Sequence, residues 1–178
     1  VNMVALSSGV NQGVRKTMPF VSGATFSFTL LLFIIGLGLG TLVQQFPLLL
    51  KFLQVIGTLY IAYMGWSIAR SGGNINAESQ KVVSFKSGAL MQWINPKAWI
   101  ACISGVSGFG IANKFDELVL FVSLYFVICY ICISLWAYVG DKISHFIKSE
   151  ARMSWFNRIM GASLIFIAIK LFLVDAIT

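Results

Sequence analysis

The chain alternates between long apolar runs and short polar connections, and several of the runs are long enough to cross a membrane. A spanning helix needs about 20 mostly apolar residues, and residues 17–50 contain no charged side chain. Five runs meet this requirement: Phe20 to Leu42, Phe52 to Ala69, Ser87 to Asn113, Leu118 to Gly140 and Trp155 to Val174. Val1 to Gly13 is too short to span, so we interpret it as the tail of a helix whose beginning is absent. The pattern predicts an all-α, polytopic transmembrane helix bundle.

The overall composition supports a membrane protein and excludes most soluble classes. Hydrophobic residues make up 58% of the 178 residues, and charged residues only 11%. A soluble domain carries about 25% charged residues, so too few charges are present here to cover a water-facing surface. We therefore expect a lipid bilayer as the surrounding partner and no nucleic acid, and we do not expect a cytosolic enzyme.

The basic residues are concentrated in alternate connections. Lysines and arginines outnumber acidic residues by 13 to 6, and cytoplasmic loops of membrane proteins carry such an excess. Three alternate connections hold nine of them: Arg15, Lys16, Arg70, Lys81, Lys86, Lys142, Lys148, Arg152 and Arg158. The opposite connections hold Lys51 and Lys114. This bias predicts that the first turn and the loops near residues 71–84 and 141–154 face the cytoplasm.

Short similarities within the chain suggest two inverted halves. Phe52 to Gly57 aligns with Phe156 to Gly161 at an offset that also pairs Ile61 with Ile165. Many transporters are built from such halves, although apolar helices also resemble one another by chance. We predict a 3+3 inverted repeat with the first helix mostly missing. Residues 1–70 form the first half, 71–84 a cytoplasmic linker and 85–178 the second half.

The strongest local feature is the tripeptide Asn95-Pro96-Lys97 inside an apolar run. Proline interrupts a continuing helix, whereas Asn followed by Pro is a favourable helix start. The sequence therefore predicts one helix ending near Trp93 and another beginning at Pro96. A helix start with Lys97 beside it, at membrane depth, is suited to a substrate anion. In the alternative, Pro96 marks a helix end at the interface and Lys97 extends to water.

Asn2 is a polar amide within the apolar remnant of the first helix. Its neighbours are Val1, Met3 and Val4, and such an amide needs a partner in the interior of a bundle. It serves either as a packing contact between helices or as a contact for a ligand.

These segments together resemble the lysine exporter (LysE/RhtB) family of bacterial amino-acid efflux permeases. That family carries a Pro-Gly-Pro-x-Asn motif in its first helix, and Val1-Asn2 matches its last two positions. The segment from Gly57 to Trp66 resembles the family pattern Gly-x-x-Tyr-Leu-x-x-x-Gly-Trp, with Ile61 in place of Leu. The most specific match is the segment from Gly88 to Trp99, which contains the family's Asn-Pro-Lys-Ala.

The resemblance implies export of an amino acid or close derivative from the cytoplasm across the bacterial inner membrane, driven by proton exchange. It assigns Asn2, Asn95, Pro96 and Lys97 to the substrate-binding and gating site, with the substrate carboxylate at the helix starts and Lys97 as its counter-charge. No acidic residue falls at mid-membrane, which favours a neutral substrate over lysine. The sequence leaves the oligomeric state open, and a homodimer is one alternative.

Two cysteines offer an alternative function. Cys129 and Cys132 share a helix face, and membrane proteins that transfer thiol redox equivalents use intramembrane cysteines. Buried cysteines more commonly act as small apolar residues. His145 is the only histidine and lacks metal-binding neighbours in the sequence, so we expect neither a metal nor another cofactor.

Overall fold

Every regular element in the described part of the chain is a helix. The computed structural model describes residues 1–39, 47–71, 83–112, 114–147 and 149–174. The six α-helices are α1 (Asn2–Ile34), which continues as a π-helical segment (Ile35–Leu39), α2 (Pro47–Arg70), α3 (Phe85–Trp93), α4 (Pro96–Gly108), α5 (Phe115–Ser144) and α6 (Glu150–Val174). The predicted all-α class is confirmed. Most of the predicted linker 71–84, including Lys81, and also Lys148 lie outside the described residues.

The helices have the lengths and surfaces of a membrane bundle. Four stretches of the described residues are long and apolar enough to cross a membrane: Asn2–Leu39, Lys51–Arg70, Phe115–Ser144 and Glu150–Leu173. The apolar run from Ser87 to Asn113 instead forms α3 and α4. Leu120, Ile128 and Leu135 of α5 are more than half exposed, whereas Thr17 is fully buried. This apolar exterior around buried polar side chains fits a protein surrounded by lipid.

Helix α1 is folded back on itself at Gly13, whose φ of 81° and ψ of 162° are not helical. One hydrophobic cluster contains Val4 and Ala24 from the two sides of this glycine, with Ile133 and Ala137 of α5. A straight helix would separate Val4 from Ala24 by about 30 Å, whereas Ile133 and Ala137 lie only about 6 Å apart along α5. Residues 2–12 and 14–34 therefore form two antiparallel arms, as the basic turn in the sequence predicts.

The first arm of α1 packs closely on α5 through two glycines. A Cβ atom added to Gly9 would overlap the carbonyl oxygen of Ala137, and one added to Gly140 would overlap that of Leu6. Small residues allow helix backbones to approach this closely in membranes. This contact fixes the position of the arm that carries Asn2.

A second hydrophobic cluster positions α4. Trp99 and Cys102 of α4 are buried there against Leu31 of the second arm of α1 and Leu118 of α5. The cluster anchors the start of α4 on one side, so the discontinuity between α3 and α4 lies against the packed interior of the bundle.

Candidate functional site

The polypeptide stops one helix and starts another where the sequence predicts it. Helix α3 ends at Trp93, and α4 begins at Pro96 with Asn95 as its N-cap. Asn95 has an extended backbone, with φ −94° and ψ 106°, which is the conformation favoured for a residue before proline. The connecting residues Ile94 and Asn95 are called the helix break below. Its predicted position is confirmed.

The polar groups of the helix break are largely satisfied within the chain. The side-chain oxygen of Asn95 accepts a hydrogen bond from the Lys97 backbone N–H at 3.1 Å. The indole Nε1 of Trp99 donates to the Trp93 carbonyl oxygen at 2.8 Å, and the Ala98 N–H donates to the Asn95 carbonyl oxygen at 2.9 Å. These bonds stabilise a discontinuity that would be costly in hydrocarbon.

The lengths of α3 and α4 are compatible with the predicted position of the helix break within a bilayer. Helix α3 has 9 residues and α4 has 13, so they extend about 13 Å and about 20 Å at 1.5 Å per residue. Laid end to end they match the roughly 30 Å hydrocarbon core. The helix break therefore falls about 13 Å from the end of the pair where α3 begins.

Helix α2 packs its glycine directly against the helix break. A Cβ atom added to Gly57 would overlap the carbonyl oxygen of Ile94 and would lie 3.5 Å from Cδ of Pro96. Any side chain at this position would push α2 away from the discontinuity. The sequence analysis noted this glycine as part of an internal alignment and of a family pattern, and the structure gives it a specific contact.

The four site residues expected from the sequence lie in different surroundings. Pro96 is buried and Asn95 partly buried, whereas Asn2 and Lys97 are exposed. In the described part of the chain, no hydrogen bond or ion pair joins Asn2 to Asn95 or Lys97. Asn2 lies roughly 200° around the helix from the fully buried Val4, so it does not face the interior of the bundle as expected.

Lys97 points away from the bundle because its neighbours in α4 face inward. Pro96, Ala98 and Trp99 are all buried, and they leave Lys97 on the outer side of the first turn. This orientation matches the alternative in which the lysine extends towards water. Its expected role as the substrate's counter-charge stays a prediction.

One polar feature of the structure is not predicted by the sequence analysis. A cavity of about 770 Å³ lies between the last turn of the first arm of α1, the end of α2 and the start of α3. Hydroxyl and amide side chains dominate the polar part of its lining: Ser7, Ser8, Asn11, Gln12, Tyr60, Tyr63, Ser67, Ser71, Ser84 and Ser87. We call this space the polar cavity. It contains none of the four expected site residues.

A pair of asparagines borders the polar cavity and connects it to α6. Asn11 Nδ2 donates to Asn157 Oδ1 at 2.7 Å, and Asn157 Nδ2 donates to Asn11 Oδ1 at 2.9 Å. Asn11 also donates to the Ser7 carbonyl oxygen at 2.8 Å. Asn157 is fully buried. Neither asparagine stands out in the sequence, because Asn11 is followed by Gln12 and Asn157 by Arg158.

The electrostatic character of the polar cavity comes from one cation. Arg70, the last residue of α2, is the one charged residue among the described lining residues. Its Cζ lies 5.4 Å from the centre of the Trp66 ring. The buried Oε1 of Gln12 accepts no hydrogen bond from the described residues. The cavity thus carries one cation, and the unpaired Gln12 oxygen beside it is shielded from solvent.

The three cysteines are free thiols that differ in solvent exposure. Cys102 is buried, Cys129 partly buried and Cys132 exposed. No group of three or more metal-binding side chains occurs among the described residues.

These features define a polytopic α-helical membrane protein with a break between two short helices and a separate polar cavity. The model of the family "LysE type translocator" matches residues 1–174, and the chain belongs to this family. The family expected from the sequence is thereby confirmed.

Individual relatives are distant but cover most of the chain. A "Leucine efflux protein" of Enterobacter sp. (strain 638) is 22% identical over 85% of this chain and 76% of its own length. A "Cysteine/O-acetylserine efflux protein" of Escherichia coli O139:H28 (strain E24377A / ETEC) is 22% identical over 96% of this chain and 88% of its own length. A protein of the same name in Klebsiella pneumoniae is 28% identical over 61% of this chain. No solved structure matches the chain significantly.

Proposed function

We propose that this protein is a secondary transporter that exports amino acids or close derivatives across the bacterial inner membrane in exchange for protons. The observation that carries the proposal is the family match over residues 1–174. The relatives named for leucine efflux and for cysteine/O-acetylserine efflux indicate the class of substrate. The apolar exterior and the helix break support a membrane transporter rather than an enzyme.

In this proposal, the substrate carboxylate binds near the helix break. The start of α4 carries the positive end of the helix dipole. Lys97 lies on the outer side of this first turn and must turn towards the site to add its charge. Asn95 acts as a positioning residue because its side chain caps α4, and Pro96 prevents α3 from continuing. Asn2, on the first arm of α1, is included on the basis of the family resemblance alone. These four residues form the proposed substrate-binding and gating site.

Transport then follows from movement of the two halves around this site. The proposed halves comprise residues 1–70 and 85–178, joined by a cytoplasmic linker at 71–84. Inverted halves that rock against each other expose a central site alternately to the two sides of the membrane. Gly57 of the first half touches the helix break of the second, so a movement between the halves would act directly on the site.

The alternative based on Cys129 and Cys132 has no support from the relatives, whose names refer to efflux. We therefore do not develop a redox function further.

A transport assay with purified full-length protein in proteoliposomes tests the proposal. The vesicles are loaded with a panel of labelled amino acids, and release is followed with and without an imposed pH gradient. We expect protein-dependent release of at least one amino acid. The pH gradient should accelerate this release, and an uncoupler should abolish the acceleration. Release equal to that of protein-free vesicles for the whole panel would contradict the proposed function.

A further inference from the structure

The contacts between helices bring most of the basic residues to one end of the bundle. A Cβ atom on Gly13 would lie 3.2 Å from Oδ1 of Asp141, so the hairpin turn of α1 adjoins the end of α5. The bond between Asn11 and Asn157 places the first part of α6 beside this turn. Helix α2 packs antiparallel to α6, and the polar cavity joins the end of α2 to the start of α3. We call this end of the bundle the basic end.

The basic end carries a clear excess of positive charge. Seven exposed basic side chains lie there: Arg15, Lys16, Arg70, Lys86, Lys142, Arg152 and Arg158. The described acidic residues at the same end are Asp141, which is partly buried, and Glu150. The connecting residues 72–82 and 148, outside the described part, contain two lysines and one glutamate. The opposite end is nearly balanced, with three bases and two acids: Lys51, Lys114, Lys170, Asp116 and Glu117.

Ion pairs do not neutralise this excess. Across the described ranges, the one ion pair joins Lys114 to Glu117 at the opposite end. Unpaired charges of one sign on a surface attract ions of the other sign. The basic end therefore favours an anionic partner.

Aromatic side chains lie one helical turn before two of these bases. Arg70 Cζ lies 5.4 Å from the centre of the Trp66 ring, and Lys142 Nζ lies 5.2 Å from that of Tyr138. Trp66 is more than half exposed and Tyr138 about half. Exposed Trp and Tyr side chains of membrane proteins prefer the level of the lipid headgroups. The same arrangement on α2 and α5 thus places both cations at the level of the lipid phosphates.

The surface next to these aromatic residues is apolar. Leu135 and Val139 of α5 are exposed within one turn of Tyr138, where acyl chains can cover them. Lys142 continues the same helix beyond Tyr138. A partner with a negative headgroup and an apolar tail matches this surface better than a small soluble anion does.

From these observations we propose that the basic end binds anionic phospholipids through their phosphate groups. Arg15 and Lys16 follow the turn at Gly13, and Lys142 follows Asp141, so these three bases surround the contact between α1 and α5. We assign them as the principal contacts of the headgroup. The proposal goes beyond amino-acid export and does not depend on which substrate is carried.

Two lipids that differ only in the headgroup test the proposal. Short-chain phosphatidylglycerol and phosphatidylcholine are titrated into purified full-length protein in a neutral detergent, and bound lipid is counted by native mass spectrometry. Each basic residue near an anionic lipid strengthens binding by roughly fivefold. We therefore expect phosphatidylglycerol to bind at least about tenfold more tightly, with a ratio that falls as salt is added.

Two triple variants with equal loss of charge separate a local site from net charge. Arg15→Gln/Lys16→Gln/Lys142→Gln should reduce the preference for phosphatidylglycerol to about twofold or less. Lys51→Gln/Lys114→Gln/Lys170→Gln removes three bases from the opposite end and should keep the preference of the parent. Lys142→Gln alone should give an intermediate value, which provides a second test if the first triple variant is unstable. Equal melting temperatures show that the variants are folded.

Three results would overturn the proposal. The first is a parent protein that binds the two lipids equally, and the second is an equal loss of preference in the two triple variants. The third is displacement of phosphatidylglycerol by inorganic phosphate beyond the effect of chloride at equal ionic strength, which would indicate a site for free anions. Each result applies whether or not the protein transports amino acids, so failure here is distinct from failure of the proposed function.

Discussion

At the scale of single residues, Gly57 has the most restrictive surroundings in the candidate site. The carbonyl oxygen of Ile94 occupies the space that a Cβ atom would need. That carbonyl belongs to the helix break, where hydrogen bonds from ordinary helix geometry are missing. A change at Gly57 therefore acts on the break without altering any of its own residues.

We expect Gly57→Ala to destabilise the protein by about 1–3 kcal/mol, as overpacking of a filled interior does. Export should also fall, because α2 and the helix break are pushed apart. Gly105→Ala is the matched control, since its Cβ would lie 3.8 Å from the Phe121 ring, an ordinary contact. Thermal unfolding in detergent measures the effect. Equal melting temperatures for the two variants would contradict the packing described here.

The asparagine pair is the second informative feature at this scale. Asn157→Ala removes both bonds of the amide pair and leaves Asn11 without that partner. We expect a loss of about 1–2 kcal/mol in unfolding free energy, the size measured for polar contacts between membrane helices. The double variant Asn11→Ala/Asn157→Ala should lose less than the two single variants combined. Strict additivity in chemical unfolding would show that the two amides do not depend on each other.

The asparagine pair and Arg70 also show which contacts the sequence alone does not predict. Asn11 and Asn157 lie in the first and last helices, and nothing local in the chain relates them. Arg70 was noted only as a loop charge, because its contact with Trp66 and its place in the cavity depend on three helices meeting. The helix break was predictable since Asn and Pro act on the backbone locally.

At the scale of elements, the hairpin of α1 depends on one backbone conformation. Gly13 has φ 81° and ψ 162°, a region that only glycine occupies readily. The sequence predicted a turn here from the basic residues that follow. It did not predict that the two helices would meet at a single residue, because the boundary between them contains no run of loop residues.

Replacing this glycine should open the hairpin. Gly13→Ala places a side chain in a strained conformation, which costs about 1–3 kcal/mol, and its Cβ would lie 3.2 Å from a carboxylate oxygen of Asp141. Gly108→Ala is the control, because no atom lies within 4 Å of its added Cβ. We expect a lower melting temperature for Gly13→Ala alone. A melting temperature equal to that of the parent would be incompatible with this turn.

At the scale of the whole molecule, α2 packs on α6 in an antiparallel arrangement, and the division into two inverted halves stays a prediction. Gln54 Nε2 donates to the Leu171 carbonyl oxygen at 3.3 Å, and a Cβ atom on Gly161 would overlap the carbonyl oxygen of Gly65. The two helices are therefore antiparallel, with Ile61 close to the level of Ile165. The internal sequence alignment pairs these same residues, as a two-fold axis between the halves requires.

The positions of Cys129 and Cys132 in the bundle bear on whether their thiols take part in export. Cys132 faces outward and Cys129 is only partly buried, and neither lines the polar cavity. We expect Cys129→Ser/Cys132→Ser to export within about twofold of the parent, because serine is similar in size and hydrogen-bonds within the helix. Loss of export without loss of folded protein would reopen a role for these thiols.

The central claim is that an amino acid crosses the membrane past the helix break, with Lys97 as its counter-charge. The most direct test measures uptake of the best-transported amino acid into everted membrane vesicles, where uptake corresponds to export. Lys97→Ala is compared at equal expression with Lys51→Ala, which removes an exposed lysine outside the proposed site. We expect at least about a tenfold loss for Lys97→Ala and none for Lys51→Ala. Uptake by Lys97→Ala equal to that of the parent would contradict the account.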